Sequence, residues 1–396
     1  MIARCPLSRE ISMRRFRLWP ALCGGLLAGL VLLTSGGCLP FPGDDPVPVA
    51  NGLRAEYIVS GAAHPSALAF ATDGRVFYTE KNTGRIRVVV DGTLQAEPVA
   101  TVPVNTAGDR GLLGIALHPN FDTNGRIYVF YTRSDTGTAT NDPQAAIDNR
   151  VVYFETAANL AVGGEVFVAS LPTGPGTTRV SGRLAFTADG HLLVAMGDMN
   201  DLEGTSDRTV LRGKILHYND DGSIPDDNPL TDSPYYARGF RDVRGLCIDP
   251  ENGAVLAVDR YADAHEEINL IQADGDYGWP VVAGLADTDA ELAYAGEVTE
   301  YVEPLFETAE AGPGLIGGGV NPSNRYGDNV RLSFFYGEID RHRIIALEFD
   351  QTRTRVLGTR VFAADLPGEI TDVAFTPAGT LYVACENALF RIVPTP

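Results

Sequence analysis

Arg183-Leu-Ala-Phe-Thr-Ala-Asp-Gly-His-Leu-Leu-Val-Ala195 is the phrase on which the architecture turns. An apolar run ends in Asp189-Gly190, a pair that supplies the positive φ values of a tight hairpin, and a second apolar run follows. The same grammar occurs in Ser66-Ala-Leu-Ala-Phe-Ala-Thr-Asp-Gly-Arg-Val-Phe-Tyr-Thr79 and in Gly114-Ile-Ala-Leu-His-Pro through Asn-Gly-Arg-Ile-Tyr-Val-Phe130. It returns in Gly245-Leu-Cys-Ile-Asp-Pro-Glu-Asn-Gly-Ala-Val-Leu-Ala257 and in Asp372-Val-Ala-Phe-Thr-Pro-Ala-Gly-Thr-Leu-Tyr-Val-Ala384, with a blurred copy expected around Leu332–Phe349. Val, Ile, Tyr and Phe suit pleated, half-buried strands, and no sustained 3.6-residue period follows position 50. About six copies of one strand pair predict an all-β chain: a six-bladed β-propeller of four-stranded antiparallel sheets over residues 53–396. A multi-sheet sandwich is the alternative, but its hairpins have no reason to resemble one another so closely. Trp stands only at Trp19 and Trp279, which argues against a WD-type propeller.

The composition agrees. With 396 residues, 44% hydrophobic and 21% charged, 43 Gly, 25 Pro and 5 Cys, the chain is globular. A collagen, a coiled coil, a polytopic membrane protein and a disulfide-stapled mini-protein are excluded. A formal charge of −20 disfavours nucleic acid as a partner, because phosphate binding needs a basic surface.

The first 37 residues read as an export signal of lipoprotein type. Arg4, Arg9, Arg14, Arg15 and Arg17 precede an apolar run from Leu18 to Leu33, and small residues lead into Cys38. That run is shorter than a comfortable membrane span. Lipidation of Cys38 would make the Pro/Gly/Asp-rich stretch 38–52 a flexible tether and place the protein in the periplasm or at the cell surface. The only membrane contact expected is then through the N-terminal lipid. Ordinary cleavage and a retained signal anchor are the alternatives. Cys38, Cys247 and Cys385 are the cysteines left after processing, too few for a disulfide framework.

Several longer motifs carry a family resemblance. Glu80-Lys-Asn-Thr-Gly-Arg-Ile-Arg87, Gly108-Asp-Arg-Gly-Leu-Leu-Gly-Ile-Ala-Leu-His-Pro-Asn-Phe121, Gly213-Lys-Ile-Leu216, Asp221-Gly-Ser-Ile-Pro-Asp-Asp-Asn-Pro229, Glu267-Ile-Asn-Leu-Ile271 and Asp276-Tyr-Gly-Trp-Pro280 stand in the order found in the glucose/sorbosone dehydrogenase family. The resemblance covers roughly residues 53–393. It implies an exported propeller that uses pyrroloquinoline quinone (PQQ) and calcium to oxidise the C1 hydroxyl of an aldose to the lactone. In that chemistry a His takes the hydroxyl proton, hydride passes to the quinone, and calcium polarises the quinone oxygens. PQQ is a tricarboxylate, so Arg and Lys should surround it.

Measured against that pattern, the chain departs at the site. The family's His-x-x-Gly-Arg-Leu reads Arg179-Val-Ser-Gly-Arg-Leu184, which puts a permanently protonated Arg179 where the base belongs. Asp109 stands at a Gln/Glu position and is a candidate to orient a hydroxyl. The cofactor-binding stretch reads Gly239-Phe-Arg-Asp-Val-Arg-Gly245, which keeps Arg241 but turns Asn into Asp242. The family's Lys aligns with Asp340, next to Arg341, and its late Arg-x-Arg-Asp reads Glu369-Ile-Thr-Asp372. The expectation is a mouth that has lost most of its positive lining. Arg341 and Arg343 are candidates to refill it if the alignment slips. The backbone oxygens of Tyr261 and Ala262 align with the cofactor calcium's ligands. Ala283 and Leu285 carbonyls with the Asp287 carboxylate match a second, structural calcium site. Asp198, Asp201, Glu203 and Asp207 read as surface loop charge, with a cation site as the alternative, and His118 reads as structural.

Three functions follow as expectations. The first is a family member with an altered site, oxidising an aldose if active. The second is a non-catalytic, calcium-stabilised propeller that binds a glycan or a protein, as relatives of the hedgehog-interacting type imply. The third is a calcium-dependent hydrolase or lactonase. No feature of the sequence specifies an oligomeric state.

Overall fold

Each clear copy of the recurring phrase folds as the first two strands of a sheet, in a computed structural model that describes residues 46–261, 265–308 and 312–395. The six sheets start with the inner strands Pro65–Phe70, Leu112–Leu117, Ser181–Phe186, Val243–Ile248, Leu315–Val320 and Ile370–Phe375. Neighbouring inner strands pack side by side all the way round, and the last meets the first, so the sheets close into a six-bladed propeller. Blades three, four and five have four strands, and short extra edge strands extend the other three.

The turns behave as their residues require. Gly190 has φ 93°, and its amide donates to the Thr187 carbonyl at 3.0 Å to tie the hairpin between Ser181–Phe186 and Leu192–Met196. The blurred copy lies elsewhere than expected. Residues 332–349 hold the second and third strands of blade five, Phe334–Glu338 and Arg343–Phe349, because a long loop separates the first strand from the second.

Packing between blades follows the two-residue period of the strand. In Leu192–Met196, Leu192, Val194 and Met196 face blade two, whereas Leu193 and Ala195 face blade four. Six apolar clusters result, one in each gap between adjacent blades. Second strands are buried on both faces and so read as continuous apolar runs rather than alternating ones.

The ring is closed by the chain ends. Leu53–Ser60 pairs with Ala388–Pro394, with Tyr57 opposite Phe390 and their rings 4.5 Å apart. Val47–Val49, inside the stretch read as a tether, pairs with Leu53–Ala55 as an edge strand of the same blade. The signal region 1–37 and Cys38 lie outside the described residues. Among those described, no helix is long and apolar enough to cross a membrane.

Candidate active-site mouth

All six inner strands begin at one end of the central channel, and residues at or just before their first positions converge there. They enclose a cavity of about 380 Å³ lined by groups from every blade. A larger cavity of about 440 Å³ at the opposite end is lined mostly by apolar residues such as Leu68, Phe70, Ile115 and Phe375. Charged groups converge on the first mouth, and that makes it the site.

The channel is crossed by a buried ion pair. Arg183 of blade three reaches blade six, which lies opposite, and its guanidinium stands 3.1 Å from the Asp372 carboxylate. Arg183 also donates to the Thr371 carbonyl at 3.1 Å, and Asp372 accepts the Leu68 amide at 2.9 Å. Arg183 lines both cavities, and Asp372 lines the larger one, so the pair stands between the two ends of the channel.

The mouth's wall is built around Asp109. Its carboxylate accepts the Arg179 amide at 2.8 Å and the Arg244 guanidinium at 2.8 Å. Burial alone would raise its pKa, but Arg244, the Arg179 amide and Lys81 outweigh burial and hold the group below the usual carboxylate range. Arg244 also donates to Asp242 at 2.7 Å. Asp242 is buried, which raises its pKa against the pull of Arg244. Beneath it, Asp259 accepts the amides of Arg241 and Asp242 at 2.8 and 2.6 Å, and burial raises this carboxyl too.

Arg179 meets Asp109 through its backbone amide, is not among the residues that line the mouth, and cannot serve as a base. Its side chain donates to Asp198 at 2.9 Å, and its backbone sits at φ 60°, an unusual conformation for a side-chain-bearing residue. Asp198 corrects the surface-charge reading of its loop. It is fully buried, and it accepts the Trp279 indole N–H at 2.9 Å as well as Arg179.

Arg241 does not line the mouth. Its guanidinium donates to the Arg260 carbonyl at 2.9 Å and lies over the rings of Tyr261 and Trp279, at 5.7 and 5.4 Å. Arg341 is likewise not where a refilled cradle would need it. It stands 3.6 Å from Glu338, in the turn between Phe334–Glu338 and Arg343–Phe349, and lines a cleft beside blade five. Ala262 lies outside the described residues, and Tyr261 is buried against Trp279 with ring centroids 5.1 Å apart. The loop holding Ala283, Leu285 and Asp287 is surrounded by carboxylates. The Gly284 amide donates to Glu267, that of Leu285 to Glu307 and that of Ala286 to Glu303, at 2.7, 3.1 and 3.3 Å, and Asp287 is exposed.

The expectation of a mouth stripped of positive charge is only half right. Lys81, Arg183, Arg244 and Arg260 line it, against Asp109, Asp340, Glu369 and Glu386. Lys81 and Arg183 stand inside motifs quoted for the family, so their omission was avoidable. Arg244, on the inner strand Val243–Ile248, is two positions from Asp242 just before it, and that spacing could have revealed the pairing. His64 was missed as well. It directly precedes the first inner strand and lines the mouth, 3.9 Å from Glu386. Burial first, then Lys81, lowers its pKa against the pull of Glu386 and Glu369, which favours the neutral imidazole.

The cations are already engaged. Arg183 is held by Asp372, Arg244 by Asp109 and Asp242, and Lys81 by the Gly108 carbonyl at 2.9 Å, while Arg260 is 3.8 Å from buried Glu266. Among the described residues, no cation lies within ion-pair distance of Asp340 or Glu369.

This architecture and its motifs can be placed among known proteins. The family model for glucose/sorbosone dehydrogenase matches residues 62–393. The chain belongs to that family. Among its relatives is quinoprotein glucose dehydrogenase B of Acinetobacter calcoaceticus, 32% identical over 66% of this chain and 59% of that protein. Aldose sugar dehydrogenase YliI of Escherichia coli is 27% identical over 86% of this chain and 93% of its own length. The PQQ-bound aldose sugar dehydrogenase of Streptomyces coelicolor shares the fold, with a TM-score of 0.71 at 22% identity over 89% of this chain and 99% of that one.

Within the glucose/sorbosone dehydrogenase family, the test for this chain is whether its mouth accepts PQQ. It does not fit. Four lining cations meet four lining carboxylates, and Arg244 and Arg183 are further engaged by the buried Asp242 and Asp372. A tricarboxylate entering would face Asp340, Glu369 and Glu386 with no surplus positive charge. At ~6 Å and an effective dielectric near 20, each such pair costs about 3 kcal/mol.

Proposed function

We propose that this chain is a sugar-binding member of the glucose/sorbosone dehydrogenase family whose mouth takes a neutral aldose or short glycan without loading PQQ. The charge balance of the mouth carries this reading. A neutral sugar avoids the repulsion that a tricarboxylate meets, and carboxylates such as Asp340 and Glu369, which have no ion-pair partner among the described residues, are strong acceptors for vicinal hydroxyl donors. Leu113, Ile316, Ile339 and Ile370 supply apolar wall for a pyranose face. A cavity of about 380 Å³ lies in the range used for small polar ligands. Neutral His64 adds a further acceptor, and Lys81 a donor, at the same opening.

Calcium is proposed as a structural ion only, at the 283–287 loop. The carbonyls of Ala283 and Leu285 with the Asp287 carboxylate are a hard-oxygen set, and Glu303 and Glu307 lie close enough to the loop to complete it. Chelation should lower the unfolding midpoint without changing sugar affinity. Export with a lipid at Cys38 is proposed on the sequence alone, and labelling with a lipid precursor tests it.

The functional reading is tested by titrating the full chain with mono- and disaccharides in a calorimeter, then repeating with Asp340→Ala and Glu369→Ala. Saturable binding that weakens at least tenfold in the variants is expected. Absence of binding by every aldose, or dye reduction by an aldose once PQQ is added, would overturn it.

A further inference from the structure

Blade three carries a second cluster of chemistry-bearing side chains, near the opposite end of the channel. His191 follows the turn at Gly190, and His217 lies on the neighbouring strand Lys214–Tyr218. Leu193 pairs with His217, so His191, two residues earlier on the same face, is its diagonal neighbour, and the two ring centroids are 4.7 Å apart. Asp227 reaches the pair from the loop after that strand. One candidate ligand atom from each of the three residues lies within 4.8 Å of the other two. None of the three lines the mouth.

We propose that His191, His217 and Asp227 form a site for one divalent transition-metal ion such as Zn²⁺. Two imidazoles and one carboxylate are a borderline donor set that suits Zn²⁺ and its neighbours far better than Ca²⁺ or Mg²⁺. The imidazole of His217 is already oriented for the task. Its Nδ1 is 2.7 Å from Asn228 Oδ1, and Asn228 spends its amide hydrogens on the carbonyls of His217 and Ser233, at 3.1 and 2.8 Å. Asn228 can therefore only accept from His217, which places the proton on Nδ1 and leaves the Nε2 lone pair free. His191 provides the second, independent sign. Its Nδ1 is buried with no hydrogen-bond partner among the described residues, and Asp189 is 3.8 Å away, too far to supply one. A tetrahedral ion needs ligand atoms about 3.3 Å apart, a contraction that exposed Asp227 can make by a rotamer change. Three protein ligands leave one position for water or an outside donor, and the ion would pin loop 219–234 to the blade.

The test titrates the full chain, stripped of metal, with Co²⁺ and then displaces it with Zn²⁺. One equivalent should develop the intense visible absorption of a four-coordinate N/O site and lose it to Zn²⁺, with excess Ca²⁺ having no effect. His191→Ala and Asp227→Ala, both at solvent-reaching positions, should keep the fold by circular dichroism and weaken binding at least tenfold. Buried His217 is tested only indirectly, through Asn228→Ala, which removes the acceptor that orients its Nδ1–H and is expected to weaken binding by about 10- to 100-fold. No absorption, or equal affinity in His191→Ala, Asp227→Ala and the parent, overturns the site. The outcome is independent of whether the mouth binds sugar.

Discussion

Replacing Arg183 by Met should destabilise the propeller by about 3–5 kcal/mol, because it strands Asp372 as an uncompensated charge in the channel. The pair joins opposite blades at 3.1 Å, with side chains 10% and 8% exposed, so water offers little relief. The sign of the pH dependence follows from the carboxyl. Burial already raises the pKa of Asp372, and Arg183 is the largest influence opposing that rise. Without Arg183 the carboxyl rises further, the protonated form is tolerated in the fold, and the variant keeps its stability at low pH but loses it as pH climbs. The double variant Arg183→Met/Asp372→Leu removes both charges and should recover most of the loss. About 1 kcal/mol should remain outstanding for the Leu68 amide left without its acceptor. Urea unfolding of the parent, both single variants and the double variant, at about pH 5 and pH 8, measures all four corners. A single-variant cost below about 1 kcal/mol, or a double variant as unstable as Arg183→Met, would refute the reasoning.

Other consequences are as direct. Burial pushes Glu266 up to about 7, so the stability it confers is full below the ordinary carboxylate range and is lost as pH rises through about 7. Glu266→Gln should accordingly flatten the pH profile of the unfolding free energy by about 3 kcal/mol between pH 4 and 8. A Cβ at Gly114 would sit 2.0 Å from the carbonyl oxygen of Gly182 on the next inner strand. Gly114→Ala should cost about 3 kcal/mol by forcing blades two and three apart, read as a lower urea midpoint. Substituting Asp340→Lys, Glu369→Arg and Thr371→Arg together restores the family's cations, and the triple variant should acquire PQQ affinity seen as a shift in quinone absorbance.

The fold was legible because its signals are local and repeated. Asp-Gly and Asn-Gly turns between apolar strands define a hairpin without knowledge of anything distant, and five clear copies amount to a ring. Blade five broke the pattern because Leu315–Val320 is followed by a long loop, so the hairpin grammar resumed one strand late. The site was harder to read because its pairings cross blades. Arg183 to Asp372 and Arg244 to Asp109 span 189 and 135 positions, and a single sequence does not indicate which charges meet. Alignment to the family pattern exposed what had been lost at Arg179, Asp242, Asp340 and Glu369. It could not show that Arg244 neutralises Asp242, that Asp198 is buried under Trp279, or that His64 opens onto the mouth. Arg341 was misplaced for the converse reason: its position in sequence suited the cradle, but in the hairpin turn of blade five it stands beside Glu338.

Equilibrium dialysis of the purified chain against PQQ in the presence of calcium, quantified by quinone absorbance on both sides of the membrane, addresses the charge balance of the mouth without depending on turnover. The wild-type chain should retain no more quinone than a protein-free control, at low and at moderate ionic strength. Retention of one equivalent per chain would mean that the engaged arginines release their carboxylates to the cofactor, and the assignment of a sugar-binding mouth without PQQ would be wrong.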